Sequence, residues 1–173
     1  MYGVSEQAVH LPSTQAIDAA RRKLVLQRIQ PGLVGLIDGT ISTLAPIFAA
    51  AYLAGSRAAL LVGLASALGA AISMGLSEGL SDDGSVTGRG SSASRGLITG
   101  GATFLGGTFH ALPFLIHDVS TALAVAYVVV SIELVTIAVI RKRFMHVPLS
   151  LSLVQVTLGG IMVATVGVLV GHA

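Results

Sequence analysis

Five stretches of the chain carry almost no charge: 33–55, 58–80, 97–116, 119–140 and 149–171. Each has about the 20 apolar residues that a helix needs to cross a bilayer. The apolar positions run around the whole of each segment instead of along one stripe. The pattern predicts an all-α membrane protein with five transmembrane helices. Residues 1–30 read differently. They begin polar, and Ser13 is placed to cap a helix over 14–29 that carries Ile17, Leu24 and Val25 together with Arg21, Arg22 and Arg28. This is the pattern of an amphipathic cytosolic segment lying at the headgroups, which Pro31-Gly32 should separate from the first span. No apolar core precedes the basic cluster, so no cleavable signal peptide is expected. Between spans two and three, residues 81–96 (SDDGSVTGRGSSASRG) form a polar Gly/Ser loop too short for a domain. The expected organisation is a 1–30 cytosolic segment and a 31–173 membrane domain.

Composition sharpens this picture. Hydrophobic residues make up 53% of 173, charged residues only 10%, and mean hydropathy is +0.85. A soluble domain carries about a quarter charged residues, and a chain this short cannot cover five apolar helices with polar surface. Without Cys there is no disulfide, thiolate ligand or cysteine nucleophile. No Ser-His-Asp set, phosphate-cradling loop or cofactor fingerprint appears, so an enzyme is not expected. The net charge of +2 gives no argument for nucleic acid. The distribution of charge matters more. With the N-terminus in the cytosol, nine of the ten Lys and Arg residues face inside, and only Arg57 faces outside. This is the orientation the positive-inside rule favours, and it puts the C-terminus, with His172, outside.

Ionisable residues inside a span are a functional hypothesis by default. Here they are Asp38, Glu78, His110 and Glu133, in spans one to four. No Lys or Arg falls within a span, so the acids are expected to lack an internal basic partner. The natural counter-charge is then a metal cation or a proton. At 1.5 Å rise per residue, Asp38 lies about 7–8 Å from the inner surface and Glu133 about 10 Å. Glu78 lies near that surface, with Met74 one turn deeper on the same face. Carboxylates with a thioether favour first-row metals such as Fe²⁺ or Mn²⁺ over Mg²⁺ and Ca²⁺. Plainer readings stand beside this one. Met74 can simply pack, Asp38 can bond backbone in a kinked helix beside Gly39, and Glu133 can face a watery vestibule. His110, near Pro113, fits an interhelical hydrogen bond better than a ligand role. The glycines Gly75, Gly79, Gly96, Gly100 and Gly159-Gly160 suit close helix packing, within one chain or across a homodimer.

Two runs carry a resemblance: GLIDGTISTLAPIFAAAYLAG at 35–55 and LGAAISMGLSEGLS at 68–81. They resemble the DG-x-x-S-T-x and G-A-x-S-M-x-x-x-E-x-x-S runs of the vacuolar iron transporter family. The likeness covers the chain from about residue 30 onward. The loop SDDGSVTGRGS brings it nearest the membrane domain of bacterial membrane-bound ferritin. The resemblance implies a dimeric five-helix domain with its metal path at the dimer interface, exporting Fe²⁺ and often Mn²⁺ from the cytosol in exchange for protons. By resemblance the ligands are Asp38, Met74 and Glu78. Glu133 joins the candidate metal set on depth alone, and Asp82 and Asp83 as acids at the cytosolic entrance. The chain lacks the Glu-rich cytosolic helices of plant members, and 1–30 cannot hold a ferritin-like bundle with its E-x-x-H pairs. A separate cytosolic iron-storage partner is one possible source of metal. The expectation is therefore an inner-membrane Fe²⁺/Mn²⁺ transporter with protons as co-substrate and no permanently bound cofactor. The competing expectations are a non-transporting membrane anchor for a ferritin-like partner and a carrier of a different solute.

Overall fold

The computed structural model describes residues 13–173, so the first twelve residues of the expected cytosolic segment lie outside it. The described chain is all helical. Helix α1 spans Thr14–Leu24, and the Ser13 hydroxyl accepts from the Ala16 N–H at its start, as expected. Its basic residues cluster in the last turn and none of its residues is buried. The break expected at Pro31-Gly32 does not occur. A π-helical turn, Val25–Ile29, leads directly into α2, Gln30–Ser42, with Pro31 in its first turn. In that turn the Gln30 N–H reaches back five residues to the Val25 carbonyl. The wider turn absorbs the bond that proline cannot donate.

The real interruption comes later. At Thr43 the backbone N–H turns to the Ile41 carbonyl, closing α2. Helix α3 then runs Leu44–Ser81, with one non-helical residue, Gly55 (φ 80°, ψ −174°). That region of backbone space is essentially reserved for glycine. The chain folds back there: a Cβ on Gly63 would stand 2.9 Å from Ile47, so the two arms of α3 lie against each other. The expected connection between the first two spans is thus a single-residue pivot, with helix on either side.

Helix α4 spans Ser92–Phe109, and a 3₁₀ turn, Leu112–Leu115, follows it. The helix begins five residues before the expected boundary at 97, because Ser91 caps it by accepting from Ser94 N–H. It ends before 116, where Pro113 permits only the tighter turn. Helix α5, Val119–Met145, starts on an Asp118 cap that accepts from Thr121 N–H. It incorporates Arg141, Lys142 and Arg143, expected in the connection, in or beside its last turn. His146, in the left-handed conformation (φ 57°), stops it. Helix α6, Leu149–Gly171, has the expected bounds.

Close packing explains the glycines. A Cβ on Gly35 or Gly39 of α2 would sit 2.1 Å from the Thr99 or Thr103 carbonyl oxygen of α4. On Gly96 and Gly100 it would meet the Gly75 and Ala71 carbonyls of α3 at 2.6 and 2.8 Å. Backbone approach of this kind drives helix association where lipid supplies no hydrophobic contrast. These glycines are therefore used within one chain. The core centres on Leu44, Ile47, Phe48, Phe114, Ala126 and Ile137, all buried. Three helical stretches are long and apolar enough to cross a membrane: Thr14–Ser81, Val119–Met145 and Leu149–Gly171. The protein has the build of an integral membrane protein.

Candidate functional site

The acids expected within the spans fall into three different surroundings. The first holds Asp38. It is half-buried on α2 and opens into a groove of about 370 Å³ shared with Val34, Ile37, Ile41, Ser42 and Met74. Asp38 and Met74 thus come together as their depths predicted, although they lie on different helices. Among the described residues Asp38 makes no ion pair. Apart from Asp38 and Ser42, the groove wall is apolar.

The second surrounding overturns the expectation that Glu78 lacks a basic partner. Its Oε1 accepts from Arg95 Nε at 2.8 Å and from Arg89 Nη2 at 2.7 Å. Arg95 belongs to the first turns of α4, not to a loop, and is wholly buried. Its remaining nitrogens donate to the Gly90 carbonyl at 2.8 Å and to the Asp82 carbonyl. One guanidinium therefore ties the end of α3, both ends of the 82–91 loop and the start of α4. Arg89 is partly exposed, and its Nε is buried without a partner.

The loop acids are also engaged. Asp82 accepts from the Thr87 hydroxyl at 2.6 Å and from Gly84 N–H at 2.7 Å, and Asp83 accepts from Ser85 N–H at 2.8 Å. The Thr87 hydroxyl, then the Gly84 N–H, hold the Asp82 carboxyl below the usual carboxylate range. The Ser85 N–H does the same for Asp83. Both groups bond the ionised form, which lowers a carboxyl pKa. Gln27 donates to the Gly88 carbonyl at 3.2 Å and seats the loop against the N-terminal helices.

The third surrounding holds Glu133, which also has a basic partner. His110, fully buried at the end of α4, shares its Nδ1 with Glu133 Oε2 at 2.9 Å and its Nε2 with Thr43 Oγ at 2.7 Å. Thr43 Oγ in turn donates to the Gly39 carbonyl at 2.8 Å. His110 makes the interhelical bonds expected of it. Glu133, 7% exposed, keeps one oxygen, Oε1, buried without a partner.

The six candidate metal residues are therefore not one cluster. Asp38 and Met74 share a groove, Glu78 is committed to arginines, Asp82 and Asp83 to their own loop, and Glu133 to His110. Among the described residues no group of three His, Asp or Glu side chains converges. Arg89 and Arg95 escaped the sequence reading as partners, although Ser91 ahead of Ser92–Arg95 is a helix-start signal that would have moved Arg95 into α4. No family model, curated protein or solved structure matches the chain.

Proposed function

We propose that the protein exports Fe²⁺ or Mn²⁺ from the cytosol by proton antiport. In this reading it makes five membrane crossings, with its N-terminus inside and its C-terminus outside, and works as a homodimer. The observation that carries the reading is the Asp38 groove. A half-buried carboxylate without a cationic partner lies beside a thioether on an apolar outer face. Facing lipid, that carboxylate would be costly. A second copy laid against the groove removes it from lipid and doubles the donors available to a cation. Two carboxylates and two thioethers suit a first-row divalent metal. Glu78, near the cytosolic end of the same path, is free to receive metal at Oε1 only when both Arg89 and the buried Arg95 release that oxygen. Ligands must be deprotonated to bind metal, so protons arriving from outside compete with metal and favour its release there. The sequence resemblance to vacuolar iron transporters supports the same direction and the same ligands.

The test is metal flux into proteoliposomes containing a dye that responds to Fe²⁺ and Mn²⁺. Asp38→Asn should abolish flux and Met74→Ala should slow it, while a pH gradient should accelerate the wild type. Unchanged flux in Asp38→Asn would exclude the mechanism. One observation favours a second reading. Helix α1 has no buried residue and ends in Arg21, Arg22 and Lys23, a surface suited to docking an iron-storage partner. An anchor of that kind predicts no flux from well-folded protein and loss of partner binding when 1–30 is deleted.

A further inference from the structure

Two basic clusters far apart in the chain meet at one end of the bundle. The first is Arg21, Arg22 and Lys23 in the last turn of α1, with Arg28 in the π turn that follows. The second is Arg141, Lys142 and Arg143 at the end of α5. Arg21 Nη2 donates to Nε2 of His146, the residue just past α5, at 3.0 Å, so the two helix ends lie side by side. Together they hold seven of the chain's ten Lys and Arg residues. The acids on these elements are Asp18, and Glu133 two turns back on α5 and bound to His110. Among the described residues none of the seven cations pairs with an acid. Arg141 donates to Gln155 at 2.9 Å, while Arg22, Lys23, Arg28, Lys142 and Arg143 are exposed.

The neighbours of these cations decide what the charge meets. Along α5, Val128, Ile132, Val135 and Val139 are all exposed. Their spacing of four, three and four residues puts them on one face of the helix. The same stripe, continued one turn beyond Val139, arrives at Lys142 and Arg143. On α1, Ile17, Arg21 and Leu24 share a face by the same spacing, and both apolar members are exposed. On each element, then, cations and uncovered apolar side chains stand on one face. A purely aqueous surface gains nothing from such a stripe. At the edge of a bilayer the apolar side chains and the long stems lie in the acyl boundary, and the charged heads reach the phosphate layer.

We propose that the joined ends of α1 and α5 form one binding surface for the headgroups of anionic phospholipids. Basic clusters beside a membrane span draw anionic lipid to them, and guanidinium groups make charge-assisted bonds to phosphate oxygens. The contact between Arg21 and His146 makes a single surface of two clusters that the sequence separates by more than a hundred residues. Only the membrane build of the protein is required, not metal transport. On the proposed orientation the lipids belong to the cytosolic leaflet. The basic face of α1 is then covered by lipid and not by a soluble partner.

Native mass spectrometry of the detergent-solubilised full chain tests this without any transport assay. The protein is titrated with phosphatidylglycerol or with phosphatidylcholine of identical acyl chains, and the affinity for each is read from the bound fraction. The wild type should bind phosphatidylglycerol the more tightly. Two double variants, Arg21→Gln with Arg22→Gln and Lys142→Gln with Arg143→Gln, should each weaken that binding, by about fivefold for each cation removed. Their phosphatidylcholine binding should stay at the wild-type level, which also reports an intact bundle. Arg57→Gln, exposed beside the Gly55 pivot, should change neither affinity. Equal affinity of the wild type for the two lipids overturns the proposal, and so does a loss in Arg57→Gln as large as in the double variants. Unchanged phosphatidylglycerol binding in both double variants overturns it as well. A loss confined to the α5 variant overturns the joined surface and leaves the α1 cations to a soluble partner.

Discussion

Replacing Arg95 should be among the most damaging single changes outside the apolar core. Its side chain is 1% exposed and makes three hydrogen bonds, to Glu78 Oε1 and to the carbonyls of Gly90 and Asp82. A hydrogen bond to a charged group is worth about 1.5–3 kcal/mol. The three do not add fully, because Glu78 keeps Arg89 and the loop carbonyls regain some water. Breaking a buried pair by removing one partner costs about 3–5 kcal/mol, and Arg95→Ala should fall in that range. Arg89 engages the same oxygen from a position 22% exposed, where an ion pair is worth about 0.2–1 kcal/mol. Arg89→Ala should therefore cost several-fold less. Arg95→Lys should recover only part of the loss, because an ammonium cannot span the three acceptors that the planar fork reaches. Denaturant unfolding in detergent gives the ranking, and proteolysis within 82–91 gives the local consequence. If Arg95→Ala is no more destabilising than Arg89→Ala, the tie through the buried guanidinium is not what fixes this end of the bundle.

Other consequences can be tested in the same preparations. Gly39→Ala places a methyl group 2.1 Å from the Thr103 carbonyl oxygen and should separate α2 from α4, whereas Gly69→Ala meets nothing within 4 Å. The second should stabilise α3 by about 1 kcal/mol through helix propensity, and thermal melts should therefore move in opposite directions. The order of the 82–91 loop should depend on pH with a fixed sign. Asp82 and Asp83 have lowered carboxyl pKa values in the folded loop, so their contribution is complete above the ordinary carboxylate range. It is lost as pH falls through their folded values. Loop proteolysis should rise only in strong acid, and Asp82→Asn should remove much of that dependence at the expense of a looser loop at neutral pH.

Much of the architecture was legible because apolar runs long enough for a bilayer have few other uses. Helix α6 matched to the residue, since Pro148 and the terminal His172 bracket an uninterrupted run. The Ser13 cap was readable for a related reason, as a small polar side chain can serve the first free N–H groups from one fixed position. The failures share a different cause. Pro31 looked like a break because proline normally ends a helix, and the π turn that accommodates it has no composition of its own. Arg95 was assigned to a loop because Gly/Ser content outweighed the Ser91 cap, and the error left Glu78 without its partners. Asp38 and Met74 were matched by depth, which survives small boundary errors. The pairing of His110 with Glu133 depends on which faces α4 and α5 turn to each other, and periodicity is silent on that when the residues around both helices are apolar.

The pivot at Gly55 bears on how the chain is made. Two apolar helical arms joined without a loop give a membrane-insertion machine no polar segment to thread across, only the turn itself. On the five-crossing reading, Arg57 is the sole charged residue that must reach the far side there, and it stands exposed two residues beyond the pivot. The arms of α3 can then enter the bilayer together as a pair already in contact through Ile47 and Gly63. The backbone geometry of one glycine would thus decide whether the first two crossings form in a single event during synthesis, before α4, which packs on both α2 and α3, has left the ribosome.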